Sequence, residues 1–310
     1  MITFNIRWIL ASVIIAAGIV LGTSARGGYP NFPPQNSRTL ISPPTVARAM
    51  VSDFNGDGHP DLVLYAPGTR QTAIWYLNNN VYVGGALGPT VRAGWALKGV
   101  ADFNHDGHPD FALFAPSTRQ TAIWYLSGPT FIGGAYGPSL PIGWELVVAE
   151  DYFSYDGHSY DGYPDYGLYN ASTRQIAIWY LNNNVYVGWS PGPTILASGW
   201  GVVGMAPFLY NCIGDSCYAA SGPRGYVLFN SLSGQTVLED TSGGISWGPT
   251  APGGWALVAV ADFNGDGIPD YLLYNARYRQ TAIWYLNGYN YVVGWAYGPT
   301  LPPGWSLVAQ

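Results

Sequence analysis

An all-β fold, a β-propeller of about five four-stranded blades with calcium loops, is what this sequence predicts, and three observations carry the prediction. A strand-like hexapeptide, TAIWYL, stands at 72–77, 121–126 and 281–286, with IAIWYL at 176–181. Gly-Trp pairs stand at 94–95, 143–144, 199–200, 254–255 and 304–305, at intervals of 49, 56, 55 and 50 residues. The composition is that of short strands and turns: 41 Gly, 24 Pro and 15% aromatic residues, with charged residues only 10% of the chain. Self-similarity at about 50 residues is the signature of a propeller, in which each unit is one blade.

One unit, 95–143, justifies the elements in order. WALKGVADF is the first strand, an acidic loop follows, and DFALFA is the second. The turn PSTR leads into QTAIWYL, and SGP leads into TFIGGAYGPSL. Each run is short, rich in β-branched and aromatic residues, and bounded by Gly, Pro, Asn or Ser. In AIWYL both faces are apolar, Ala122 and Trp124 on one side and Ile123 and Tyr125 on the other. A strand apolar on both faces lies between two packed layers, as a blade does between its neighbours.

The units run 46–94, 95–143, 144–199, 200–254 and 255–303. The fourth is degenerate, with NCIGDSCYAASGPRG in place of the acidic loop. The residues 304–310, GWSLVAQ, form one extra strand, expected to pack beside the N-terminal segment and close the ring; the alternative is an open edge. Residues 26–44, rich in Pro, Asn and Ser, read as an extended lead-in. Before them Arg7, the apolar run Trp8 to Leu21 and the small residues GTSA at 22–25 read as a signal peptide, residues 1–25, so the protein is expected to be secreted. The run is short for a bilayer span, and no membrane span is expected in the mature chain.

The acidic loop carries the functional signal. DFNGDGHPD at 53–61 returns as DFNHDGHPD at 102–110 and DFNGDGIPD at 262–270. Thirteen of the fifteen aspartates lie in these loops, counting the expanded copy at 151–165. In D-x-N-x-D-G-x-x-D, oxygens at positions 1, 3, 5 and 9 and a main-chain oxygen at 7 can surround a hard cation. The logic is that of the EF-hand loop, and an all-oxygen set favours Ca²⁺. The expected ligands are Asp53, Asn55, Asp57, His59 and Asp61; Asp102, Asn104, Asp106, His108 and Asp110; and Asp262, Asn264, Asp266, Ile268 and Asp270. His59, His108 and Ile268 contribute only main-chain oxygens. In the expanded loop Asp161 and Asp165 match the later positions, and Asp151 or Asp156 the first, giving three to four calcium sites. The alternative is an Asx-rich turn with no metal.

Cys212 and Cys217, in the unit without an acidic loop, are expected to form a local disulfide, as befits an exported chain. Arg70, Arg119, Arg174 and Arg279 recur in the turn before the AIWYL strand and read as structural, with a shared anionic-ligand site as the alternative. Trp189 and Trp295 stand where Gly85 and Gly134 stand in other units. They are the candidate ligand-binding aromatics, against packing between blades. Glu145, Glu150, Asp215, Glu239 and Asp240, the acids outside the loops, form no recognisable catalytic pair, and no nucleophile motif is present, so no enzyme is expected. A net charge of −6 disfavours nucleic acid.

On ADFNGDGIPDYLLYN and RQTAIWYLNG, preceded by GWALVAVADFN, the chain resembles the FG-GAP / VCBS repeat family over about residues 45–310. The resemblance implies calcium-stabilised blades in an exported protein, like those of integrin α-chain heads and some fungal lectins. Such rings usually have seven blades, where this chain offers five and one strand. The expected function is that of a secreted, non-catalytic calcium-binding module for adhesion to a glycan or a cell-surface or extracellular protein. A lectin is the alternative, and a propeller glycosidase a more distant one.

Overall fold

The computed structural model describes residues 48–150, 162–195, 199–206, 210–213, 216–219, 225–239, 244–288 and 291–307; Val148, Glu150, Ala206, 210–213 and 216–219 are described by backbone alone. Residues 1–47, which include the expected signal peptide and lead-in, and residues 151–161 of the expanded loop lie outside the described residues.

Among the described residues there are strands and no helix. Blade 1 holds β1 (Met50–Ser52), β2 (Asp61–Ala66), β3 (Gln71–Asn78) and β4 (Val81–Thr90). Blade 2 holds β5 (Ala96–Ala101), β6 (Asp110–Ala115), β7 (Gln120–Ser127) and β8 (Thr130–Ser139). Blade 3 holds β9 (Trp144–Glu150), β10 (Asp165–Asn170), β11 (Gln175–Asn182) and β12 (Val185–Thr194). Blade 4 begins with β13 (Trp200–Ala206), carries a hairpin of β14 (Tyr210–Ile213) and β15 (Ser216–Ala219), and continues with β16 (Gly225–Asn230), β17 (Gln235–Glu239) and β18 (Ile245–Thr250). Blade 5 holds β19 (Ala256–Ala261), β20 (Asp270–Asn275), β21 (Gln280–Leu286) and β22 (Val292–Thr300). Each blade is an antiparallel four-stranded sheet in sequential order, with β14 and β15 a separate two-stranded sheet.

The five first strands face one another around the axis, β1 against β5, β5 against β9, β9 against β13, β13 against β19 and β19 back to β1. The core is accordingly five clusters, one between each pair of neighbouring blades. The double-sided AIWYL strand explains this arrangement. Ala122 and Leu126 pack toward blade 1, while Ile123 packs toward blade 3 with Tyr125 against its edge. The protein is a closed five-bladed β-propeller.

The C-terminal segment closes the ring in a way the repeat alone did not indicate. Tyr65 of β2 exchanges both main-chain hydrogen bonds with Ser306, at 2.8 and 2.9 Å. In blade 2 the corresponding pair is Phe114 and Ala96. The segment is therefore no added strand of a sixth unit beside the N-terminal one. It supplies the first half of blade 1's inner edge, and β1 supplies the second half, pairing Met50 with Val63. Leu307, fully buried, fills the blade 5–blade 1 core with Leu62, Leu64 and Ile283. At the rim, Tyr285 Oη donates to Asn79 Oδ1 (2.6 Å) across the same junction, as Tyr125 Oη does to Asn183 Oδ1 (2.7 Å) between blades 2 and 3.

The recurring arginines sit at a left-handed turn position, with φ of 61° at Arg70, Arg119 and Arg174 and 54° at Arg279. Blade 4 has Gly234 there, at φ 78°, where no side-chain strain arises. Arg70, Arg119 and Arg279 each donate Nε to a carbonyl of the connection to the next blade, Val91, Leu140 and Leu301 respectively. These three partners are main-chain carbonyls, which suits a structural role.

Candidate functional site

The acidic loops join the first and second strands of a blade, so all of them lie on one face of the ring. In blade 1 the loop is folded by its own side chains. Asp53 accepts the main-chain amides of Gly56 (2.7 Å), Asp57 (3.2 Å) and Gly58 (2.8 Å). Asn55 Oδ1 accepts the Asp57 amide, and Asp57 Oδ1 accepts the His59 amide. Gly56 and Gly58, at φ 75° and 86°, allow the chain to curl around Asp53. Blade 5 repeats the set through Asp262, Asn264 and Asp266. Blade 2 repeats most of it through Asp102, Asn104 and Asp106. The hydrogen bond from the His59 amide, then that from Asn55, hold Asp57 below the usual carboxylate range.

The ninth-position aspartates do something the spacing did not reveal. Asp61, Asp110 and Asp270 have no solvent exposure. Asp61 accepts the amide of Phe54 with one oxygen and that of Leu77 with the other, both at 2.9 Å. Asp110 bonds Phe103 and Leu126 in the same way, and Asp270 bonds Phe263 and Leu286. Each ties the loop and the third strand to the start of the second. Asp165 does the same toward Leu181, at 2.8 Å. The available clue was that these aspartates open fully buried strands, DLVLY and DYLLY, where an acid is costly unless hydrogen-bonded.

Burial pushes Asp61 up to about 6, and Asp110 and Asp270 to about 7, against those amide hydrogen bonds and with the neighbouring loop carboxylates adding to the rise. The sign follows directly. A carboxylate with a folded pKa above its ordinary 3.8 binds its proton more tightly in the folded state. Its stabilisation is full below 3.8, declines above it, and is lost as pH rises through 6 to 7. At about 1.4 kcal/mol per pKa unit, each contributes on the order of a few kcal/mol. Metal-free protein should therefore resist urea better at pH 5 than at pH 8; equal midpoints would remove this role.

As a cation site, each loop offers two carboxylates and an asparagine oxygen, bonded to amides rather than to cationic side chains. The donor chemistry fits a hard cation. Among the described residues no three Asp, Glu, His or Cys side chains form a group that could hold a metal. The ninth aspartates keep free lone pairs on oxygens that already hold the sheet together. In blade 2, His105 takes the left-handed position (φ 59°), and its Nε2 lies 2.7 Å from the Gly162 oxygen, with its ring stacked on Tyr163 at 4.0 Å. That contact links the loops of blades 2 and 3. Of the expanded loop, Asp151, Asp156 and Asp161 lie outside the described residues.

Cys212 and Cys217 are cross-strand partners in the β14–β15 hairpin, a register that brings their backbones within reach of a bridge. Their side chains lie outside the described residues.

Trp189 and Trp295 are on the outermost strands, 55% and 37% exposed. They do not stand alone. Trp247 is 54% exposed and neighbours Trp200, Tyr136 neighbours Trp95, and Tyr297 neighbours both Trp255 and Trp295. Sequence reasoning missed these rim platforms because Trp95, Trp200 and Trp255 belong to the Gly-Trp pair repeated in each unit, and a repeated motif carries no signal of exposure. Trp255 and Trp284 are buried, but Trp95 and Trp200 are only partly so. Of the non-loop acids, Glu145 is exposed and Glu239 buried; the side chains of Glu150, Asp215 and Asp240 lie outside the described residues. No helix among the described residues is long and apolar enough to cross a membrane.

Residues 53–113 match the model of the FG-GAP-like repeat. No curated protein matches the chain. Among solved structures it is similar to a protein of unknown function from Bacteroides caccae, at 12% identity and a TM-score of 0.42, over 76% of this chain and 72% of that one. It is also similar to part of the Tc holotoxin pore of Photorhabdus luminescens, at 14% identity and a TM-score of 0.42, over 87% of this chain but 12% of that one. A streptogramin B lyase matches at 9% identity and a TM-score of 0.39, over 84% of this chain and 70% of that one.

Proposed function

The chain carries an FG-GAP-like repeat, and from that premise we propose that it is a secreted, non-catalytic, calcium-stabilised binding module. The observation that carries the reading is the threefold loop of preorganised oxygens on one face of a closed ring. Asp53, Asn55, Asp57, the His59 main-chain oxygen and Asp61 would hold one ion; the matching residues at 102–110 and 262–270 would hold two more, and the loop ending at Asp165 a fourth. Calcium would neutralise the clustered carboxylates and lock the loops. In blade 4 a Cys212–Cys217 disulfide would do this mechanically.

The exposed rim favours a glycan as ligand over a protein partner. Aromatic faces stack on sugar rings, and the outer strands expose Trp189, Trp247, Trp295 and Tyr297. No turnover is proposed, since the loop carboxylates are committed to structure and cation. On a glycan array, the calcium-loaded mature protein should bind, and Trp189→Ala with Trp295→Ala should weaken binding at least tenfold. Undiminished binding by the double variant would move the site to Trp247 and its neighbours. Glycoside hydrolysis abolished by changing Glu145 or Glu239 would overturn the non-catalytic reading.

A further inference from the structure

The charges of the ring are segregated between its two faces. The turns that join second to third strands, and the connections between blades, lie on the face opposite the acidic loops. Those segments contain no Asp or Glu, and they carry Arg70, Arg92, Arg119, Arg174, Arg277 and Arg279. The three acidic loops at 53–61, 102–110 and 262–270 contain no Lys or Arg. Glu145, the second residue of β9, is the one acid at a strand end on the turn side. A net charge of −6 therefore conceals a face of positive potential.

This positive charge is held in place without being cancelled. Arg70, Arg119 and Arg279 are anchored through Nε to main-chain carbonyls. Arg119 Nη2 also donates to the carbonyls of Pro141 and Trp144, the latter at 2.9 Å. A carbonyl fixes a guanidinium but leaves its charge. The repeat explains only these anchored arginines. Arg92 stands where other connections have Pro141, Pro252 and Pro302, and Arg277 where other turns have Gly68, Ser117 and Ser172. Both are exposed, and among the described residues neither donates a hydrogen bond or pairs with a carboxylate. Aromatic rings accompany them. The Arg277 Cζ lies 5.5 Å from the ring centroid of Tyr278, which is 49% exposed. Trp95, in the same connection as Arg92, packs 6.2 Å from the exposed Tyr136 near the end of β8.

We propose that the turn face binds an acidic glycan, a sugar chain carrying carboxylate or sulfate groups, with guanidiniums on the anions and the exposed rings against sugar faces. The inference rests on the glycan reading above and adds to it the face and the charge class of the ligand. Guanidinium forks suit carboxylate and sulfate oxygens. Arginines repeated from blade to blade match anions repeated along a chain. A nucleic acid duplex keeps its bases stacked inside and offers Tyr278 and Tyr136 nothing to stack on.

Binding of the calcium-loaded mature protein to surfaces coated with hyaluronate, dextran sulfate or neutral dextran tests this, with a DNA duplex and phosphatidylserine vesicles as comparators. Hyaluronate or dextran sulfate should bind at about 0.05 M salt and at least tenfold more weakly at about 0.5 M, as contacts between charges do. Dextran should bind at least tenfold more weakly than the better polyanion, and whichever polyanion binds tighter identifies the anion. Arg92→Gln with Arg277→Gln should keep the melting temperature and lose tenfold or more of that affinity, the scale of one charge-assisted hydrogen bond. Should the double variant not fold, Arg92→Gln alone is read the same way. No binding to either polyanion, equal binding to dextran, undiminished binding by the variant, or equally tight binding to DNA or vesicles would each overturn the proposal. Neutral glycans bound through Trp189 and Trp295, with no polyanion binding, would overturn it while leaving the glycan reading intact.

Discussion

Stripping calcium from the mature protein with a chelator is expected to lower its melting temperature by roughly 10 °C or more. Binding to the native state alone adds about 2.7 kcal/mol per site at a hundredfold excess over the dissociation constant. Three loops would then contribute roughly 8 kcal/mol, and at this chain size each kcal/mol is worth about 2–4 °C. The physical source is visible in the loops, where Asp53 and Asp57, like Asp262 and Asp266, crowd like charges with only amides to offset them. Calorimetric titration should give a stoichiometry of three or four. Asp57→Ala, Asp106→Ala and Asp266→Ala should each remove one ion. If no heat of calcium binding is found and the chelator leaves melting unchanged, the loops are hydrogen-bonded turns and the cation reading fails.

Removing residues 304–310 is expected to open the ring, with a loss comparable to that of calcium. The truncation deletes both Tyr65–Ser306 hydrogen bonds and the buried Leu307, and exposes an edge of β2. It also uncovers part of the cluster around Leu62, Leu64 and Ile283. The milder Leu307→Ala should cost about 2–5 kcal/mol, as buried leucine truncations do. Urea denaturation of both variants measures this. A truncated chain as stable as the whole would show that the closing segment is dispensable.

The blades were legible because their signals are local. TAIWYL alternates faces, PSTR and SGP punctuate it, and both lie within one unit, so sequence spacing alone placed β6, β7 and β8 close to where they are. The candidate loops were legible for the same reason, since the residues from Asp53 to His59 organise one another within a few residues. The ninth aspartates were harder. Whether Asp61 faces a cation or the Leu77 amide depends on how β3 lies against β2, and a spacing of oxygens carries no such information.

What the sequence by itself determined is the repeat, the four-strand unit and the threefold oxygen-rich loop, each written in neighbouring residues. Only the tertiary structure decided that GWSL at the far end completes the first strand of blade 1, because that pairing joins Tyr65 to Ser306 and lies in no local pattern. It also decided that Arg92 and Arg277, from different blades, share one face with the recurring arginines. Turn and strand preferences act between adjacent residues, whereas ring closure and the separation of charge between two faces arise only when five blades pack against one another and every buried edge must find a partner.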